Sequence, residues 1–381
     1  EARAAYIGAA KRAARLDPGE TVLEHCEQAL ELPSLESVSP HDQAALLAMA
    51  ARAAAASGSF RQAVALMRRT IDRRATREAS SSRGARDAAT RIALGELYGE
   101  LGRMQWNAGD RESAIDSMER ALGIMPTEPS RARGYVLASL AQHLMIDGRF
   151  ADSARVADQA LDTLERAEAI GEDVLEVRAH AICTKGVNVA YLGDPMRGLA
   201  LLDEAAALSR EAGRLDDLMR IAANRTYLLD LDLRREEALA VVQEFLADAQ
   251  AGGLEATYGA FLRGNAADIL FQLGRWQEAE RVCRADIKWL RDPGRDVSWL
   301  SALVLGLLLT ESRADEEAAS FVGRTLLELQ AVEAGMSTGI ELRSAISLAL
   351  WNGRFEEALR TAEREWPRVL ESDELGVIVY A

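Results

Sequence analysis

Leu273-Gly274-Arg275-Trp276-Gln277-Glu278-Ala279 decides the fold, because the phrase recurs. Asn352-Gly353-Arg354-Phe355-Glu356-Glu357-Ala358 repeats it closely, and Asp147-Gly148-Arg149-Phe150 and Ser57-Gly58-Ser59-Phe60-Arg61-Gln62-Ala63 are weaker copies. Read as the turn inside a helical hairpin, it aligns Gly58, Gly109, Gly148, Gly193, Leu233, Gly274, Arg313 and Gly353, at separations of 51, 39, 45, 40, 41, 39 and 40 residues. Five residues after each turn stands a small residue: Ala63, Ala114, Ser153, Gly198, Ala238, Ala279, Ala318 and Ala358. Seven before it stand Ala51, Gly102, Ala141, Gly186, Thr226, Ala267, Gly306 and Ile346, six of the eight Gly or Ala. Thirteen after it every residue is apolar, from Ile71 to Trp366. Small residues at two fixed offsets mark where antiparallel helices cross too closely for a large side chain, and the apolar residue fills the space toward the next hairpin.

These offsets resemble the tetratricopeptide repeat, which places Leu-Gly or Leu-Ala in its first helix and Ala in its second. Leu101-Gly102, Leu140-Ala141 and Leu305-Gly306 carry the first part and Ala279 the second, over roughly residues 40–370. The resemblance implies an all-α fold: a right-handed superhelix of about eight hairpins, with a period near 40 residues where the family has 34. Residues 1–39 read as an incomplete first hairpin, with Ser39 as N-cap before Pro40. Residues 40–366 form the array, and 367–381 begin a further, truncated repeat. Glu1 is not an initiator methionine and the chain stops in an apolar run, so the expectation is a segment of a larger protein.

A net charge of -15 repels phosphate backbones, which speaks against direct nucleic-acid binding by this segment. Cys26, Cys183 and Cys283 are odd in number and far apart, as in a reducing cytoplasm. The longest apolar run, Trp299 to Leu309, is too short to span a bilayer, so no membrane contact is expected. The first separation of 51 carries an insertion, Arg68 to Arg91, with eight arginines. Without interleaved aromatics it reads as a helix end entering a solvated loop rather than a phosphate site.

No phosphate loop, dinucleotide fingerprint, nucleophile elbow or His-Glu-x-x-His helix occurs. The chain is therefore expected to be no enzyme and to hold no cofactor. Glu176, His180 and Cys183 share a helix face, but zinc would need a further ligand, and the trio reads as a surface pair beside a packed cysteine. No metal site is expected.

Residues 13, 10, 6 and 3 before each turn form one stripe of the first helix, opposite the packed small residue. In a superhelix this is the concave face. Its large polar and aromatic members are Arg103, Trp106, Tyr135, Gln142, His180, Arg220, Tyr227, Phe261, Asp268 and Phe271. Such a mixed lining suits a groove for a peptide, a protein segment or a small-molecule effector. The Lys and Asn with which peptide-clamping relatives hold a terminal carboxylate are absent: Gly99 with Arg103, and Ala138 with Gln142, stand there instead. The long-period repeats and their Gly-Arg-aromatic-x-Glu-Ala turns also resemble the helical-repeat region of large LuxR-type, maltose-regulator-like bacterial transcription regulators. That resemblance implies an effector- or partner-binding sensor segment that also contacts flanking modules of its own chain. The alternative is a constitutive protein-protein interaction scaffold without a small-molecule effector.

Overall fold

The computed structural model describes residues 2–14, 19–32, 39–80, 87–251, 259–290, 299–312, 317, 320–321, 323–324 and 338–371. Among the described residues are seventeen α-helices and no strand. In chain order they are α1 (Ala2–Ala13), α2 (Glu20–Glu31), α3 (Pro40–Ala56), α4 (Phe60–Ser80), α5 (Ala88–Asn107), α6 (Arg111–Ile124), α7 (Arg131–Ile146), α8 (Phe150–Glu168) and α9 (Leu175–Tyr191). There follow α10 (Pro195–Glu211), α11 (Leu215–Leu231), α12 (Arg235–Ala251), α13 (Ala260–Gln272), α14 (Trp276–Leu290), α15 (Trp299–Ser312), α16 (Thr338–Trp351) and α17 (Phe355–Glu371). Consecutive helices pair as hairpins, among them α3 with α4, α5 with α6, α9 with α10, α11 with α12, α13 with α14 and α16 with α17. The chain divides into two compact units: residues 1–143 with 162–172, and 144–161 with 173–381.

The turn alignment holds at backbone level. Gly58, Gly109, Gly148, Gly193, Gly274 and Gly353 all have positive φ, and Leu233 shares that conformation at φ 60°. Each turn closes the same way. The N–H of Gly109 donates to the Trp106 carbonyl and that of Asp110 to Gln105; the N–H of Gly274 donates to Phe271 and that of Arg275 to Leu270. This crossed pair of bonds satisfies the last carbonyls of the first helix and requires a left-handed residue. Arg313, Ala318 and Leu326 lie outside the described residues.

In six of these turns the next residue starts the second helix by one of two devices. Asp110 and Asp194 cap it directly, accepting from the N–H groups of Ser113 and Arg197. Arg149, Arg234, Arg275 and Arg354 instead clasp an acid three residues on, respectively Asp152, Glu237, Glu278 and Glu357. The acid then sits in the first helical turn, where the helix dipole favours it. The Arg-x-x-acid part of the phrase is thus a helix-start clasp.

The small residues meet as the offsets require. A Cβ on Gly102 would lie 2.8 Å from the Ala114 carbonyl oxygen, and one on Gly198 2.6 Å from that of Gly186. Along α10 the buried side is Leu199, Leu202, Ala205, Ala206 and Ser209, an amphipathic stripe. The apolar run in α15 is a core helix, with every residue from Ser301 to Thr310 buried. Ser39 caps α3 by accepting from the Asp42 N–H at 3.2 Å. No helix among the described residues is long and apolar enough to cross a membrane.

The insertion after Arg68 is in large part continued helix, since α4 runs 21 residues to Ser80; residues 81–86 lie outside the described ones. Trp276 lies over its own turn, half in solvent, with its indole N–H donating to the Phe271 carbonyl at 3.0 Å.

Candidate functional site

The stripe of residues before each turn falls in both units, and each part has its own chemistry. In the first unit Arg103 is exposed on α5, donates to the Tyr135 hydroxyl of α7, and places its guanidinium carbon 5.3 Å from the Tyr135 ring centre. Trp106, one turn further along α5, stacks on the buried His143 ring at 4.4 Å and has the Arg111 guanidinium 5.1 Å from its centre. His143 is held by Met118, whose sulfur is 3.1 Å from Nδ1. Gln142 sits half-buried on α7 outside these contacts. Two arginines and two aromatic rings therefore form a partly exposed surface.

In the second unit His180 on α9 lies 3.6 Å from Asp217 on α11, and Arg214 reaches both Glu176 at 3.4 Å and Asp217 at 3.7 Å. Burial pushes the Asp217 carboxyl up, but His180, Arg220 and Arg214 together hold it below the usual carboxylate range. Arg220 departs from the expected role. It is buried, and it donates to the His180 carbonyl at 3.0 Å and the Thr184 hydroxyl at 3.4 Å. It is a strut between α9 and α11, because a buried guanidinium needs acceptors close at hand. Glu176, His180 and Cys183 do not converge: Glu176 faces Arg214, and Cys183 accepts from the Asn224 amide at 3.4 Å. Burial raises the Cys183 thiol, the reverse of what a metal-binding thiolate needs.

Further along, Tyr227 stacks on Tyr191 at 6.0 Å, and Tyr191 on the buried Phe150 at 4.2 Å. Beside this ladder is a polar cluster from three helices. Arg235 of α12 donates to Asp230 at 2.9 Å and to the Gln272 carbonyl oxygen at 2.6 Å. The Gln272 amide in turn donates to Asp268 at 3.0 Å and Asp230 at 3.3 Å. Burial, and then the neighbouring Asp230 charge, push the Asp268 carboxyl up to about 6, against the opposing pull of Gln272, Arg343 and Arg235. Phe261 stands exposed on the same helix. Phe271 is a second departure. It is buried, with Trp276 stacked at 5.8 Å and the Arg343 guanidinium 5.5 Å from its ring, so it packs the core rather than lining a surface.

Arg235 and Gln272 lie off the stripe; Asp230 lies on it, three before Leu233, but was not among the named candidates. A signal for Arg235 was present. Two residues after the turn stand Phe60, Phe150, Trp276 and Phe355, whereas Arg111, Pro195, Arg235 and Asp315 break that aromatic pattern. Each of these two arginines reaches back onto the stripe, to Trp106 and to Asp230.

No protein-family model matches the chain, and no curated protein is similar to it in sequence. Solved structures are similar in fold. A Rap protein complexed with competence and sporulation factor superposes with TM-score 0.63, over 95% of this chain and 96% of that one, at 13% identity. NprR in complex with its cognate peptide NprX gives TM-score 0.56 over 81% and 87%, at 12% identity. Aspartyl phosphate phosphatase F from Bacillus subtilis gives 0.56 over 95% and 91%, also at 12% identity. At such identity the likeness speaks to fold alone. The chain has the tetratricopeptide-like helical-repeat fold.

Proposed function

We propose that the chain is the partner-binding helical-repeat part of a bacterial signal-responsive regulator, and that it takes up a peptide on the stripe of its first helices. The observation that carries this reading is the cluster of Asp230, Asp268, Gln272 and Arg235 beside Tyr227 and the exposed Phe261. Two carboxylates and the Gln272 carbonyl oxygen stand together there, so the cluster is rich in acceptors for a cationic side chain or amino terminus. Aromatic surface alongside would take the neighbouring apolar side chain. The superposition with a Rap protein bound to competence and sporulation factor, and with NprR bound to its cognate peptide, supports the same reading.

Peptides selected from a random library against the chain test it. They are expected to be enriched in Lys or Arg next to an apolar residue, and to lose about tenfold or more in affinity on Tyr227→Ala combined with Asp268→Asn. Selected peptides that bind this variant as tightly as the parent would place the site elsewhere. The finer proposal, a LuxR-type regulator, rests on the turn phrases and the Ala/Arg/Leu-rich texture. The adjoining coding sequence decides it: a phosphate loop before the repeats and a helix-turn-helix after them support it, and their absence overturns it.

A further inference from the structure

The two carboxyls of the α11–α13 cluster are held unequally. Asp230 has both oxygens engaged, Oδ1 by the Arg235 guanidinium at 2.9 Å and Oδ2 by the Gln272 amide at 3.3 Å. The buried Asp286 of α14 likewise gives Oδ1 to Arg263 at 2.6 Å and Oδ2 to the Ser301 hydroxyl at 2.6 Å. Asp268 differs. It is half-buried, its Oδ2 accepts from Gln272 at 3.0 Å, and its Oδ1 takes no hydrogen bond among the described residues. We propose that a cationic side chain of the peptide docks on Asp268 and displaces the proton this carboxyl holds in the free protein, so that uptake is coupled to proton release. The proposal rests on peptide uptake at this cluster and adds its regulation by pH.

The geometry makes Asp268 the member of the pair that keeps a proton. One Gln272 nitrogen donates to both carboxyls, which brings them within about 6 Å, close enough for each charge to disfavour the other. The Arg235 guanidinium is committed to Asp230 and to the Gln272 carbonyl oxygen. Arg343 of α16 stands over the Phe271 ring, 5.5 Å from its centre. Both arginines pull the Asp268 carboxyl down without bonding to it; burial first, and then Asp230, push it up to about 6. On α14, burial, Asp286 and Asp268 itself push the Cys283 thiol up, so it stays neutral. On α13, Arg263 is turned to Asp286. On α15, Glu311 is the one charged residue of the described helix, and it accepts from Ser347 and Trp351.

The exchange balances. The Asp268 O–H bond breaks and its proton passes to solvent. A Lys ammonium or Arg guanidinium, which keeps its own charge throughout this range, takes the proton's place against the carboxylate. Acid therefore opposes uptake, because the proton competes with the peptide. Affinity rises as pH passes through 6 and levels off above it.

The test is isothermal titration of the purified chain from pH 5 to 8. The probe is a library-selected peptide with an internal Lys or Arg, free of His, Asp and Glu and blocked at both ends. Affinity should be about tenfold lower at pH 5 than at pH 7. At pH 6 the heat should vary with the ionisation enthalpy of the buffer, in the direction of proton release. Asp268→Asn should abolish both effects. Asp230→Asn, which removes the neighbouring charge, should move the affinity change to lower pH. Circular dichroism checks the fold of each variant, and the Asp230→Asn shift carries the test if Asp268→Asn does not fold. If no such peptide binds, or if Tyr227→Ala leaves binding unchanged, the site itself is wrong and the proposal falls with it. If the peptide binds and Tyr227→Ala weakens it, yet affinity is level from pH 5 to 8 or proton release persists in Asp268→Asn, the proposal alone is overturned.

Discussion

Asp268 ionises late because folding withdraws it from water and sets it beside Asp230. Its folded value of about 6 lies above the ordinary 3.8, so the folded state holds this proton more tightly than the unfolded state does. Stability from this group is therefore greatest below the ordinary value and declines as pH rises toward 6, by at most about 3 kcal/mol. Asp268→Asn should remove that decline. Urea unfolding between pH 4 and 8 would show it as a flatter profile for the variant, and parallel profiles would refute the assignment. Leu233 presents a different residue-scale cost. It occupies a left-handed turn position where six other repeats have glycine. Leu233→Gly removes roughly 1–2 kcal/mol of steric strain, offset in part by the greater freedom of glycine in the unfolded chain. A net gain of about 0.5–1 kcal/mol in urea unfolding is expected.

Within a hairpin, stability depends on how closely two helices approach. Gly198→Ala would press a methyl into the Gly186 carbonyl and the Ala190 methyl, 2.6 and 2.7 Å away. It should cost about 2–3 kcal/mol, as overpacking of a rigid contact does. Gly123→Ala, at an exposed position of α6 with nothing within 4 Å, should instead stabilise by up to about 1 kcal/mol. Melting curves of the two variants should move in opposite directions. These contacts were legible in the sequence because they recur: the offsets that pair Gly102 with Ala114 and Gly186 with Gly198 repeat down the chain. The candidate site was legible only by position. The stripe included Asp268 and Tyr227, but whether a stripe residue faces solvent depends on its neighbours across the hairpins. Arg220 turned inward to two acceptors on α9, and Phe271 was covered by Trp276 and Arg343. Neither partner set has a fixed spacing. The Asp230, Arg235 and Gln272 cluster needs three helices at once, and only the missing aromatic at Arg235 announced it.

Within the second unit, successive hairpins pack on each other, as α10 does on α11 and α12 on α13. Stability in such an array is close to a sum of local terms and nearest-neighbour terms. Gly198→Ala should accordingly raise amide exchange in α9 to α11 and leave α1 to α4 protected as before. A uniform rise over all helices would show that the chain opens as one block. The turn clasps carry a further consequence. Arg149, Arg234, Arg275 and Arg354 each hold an acid three residues away, so every one of these closures is complete within a single hairpin. An in-frame duplication or loss of one 40-codon period thus carries its own turn chemistry with it. A gene of this kind can lengthen or shorten its reading surface by recombination between repeats, without inventing a new joint.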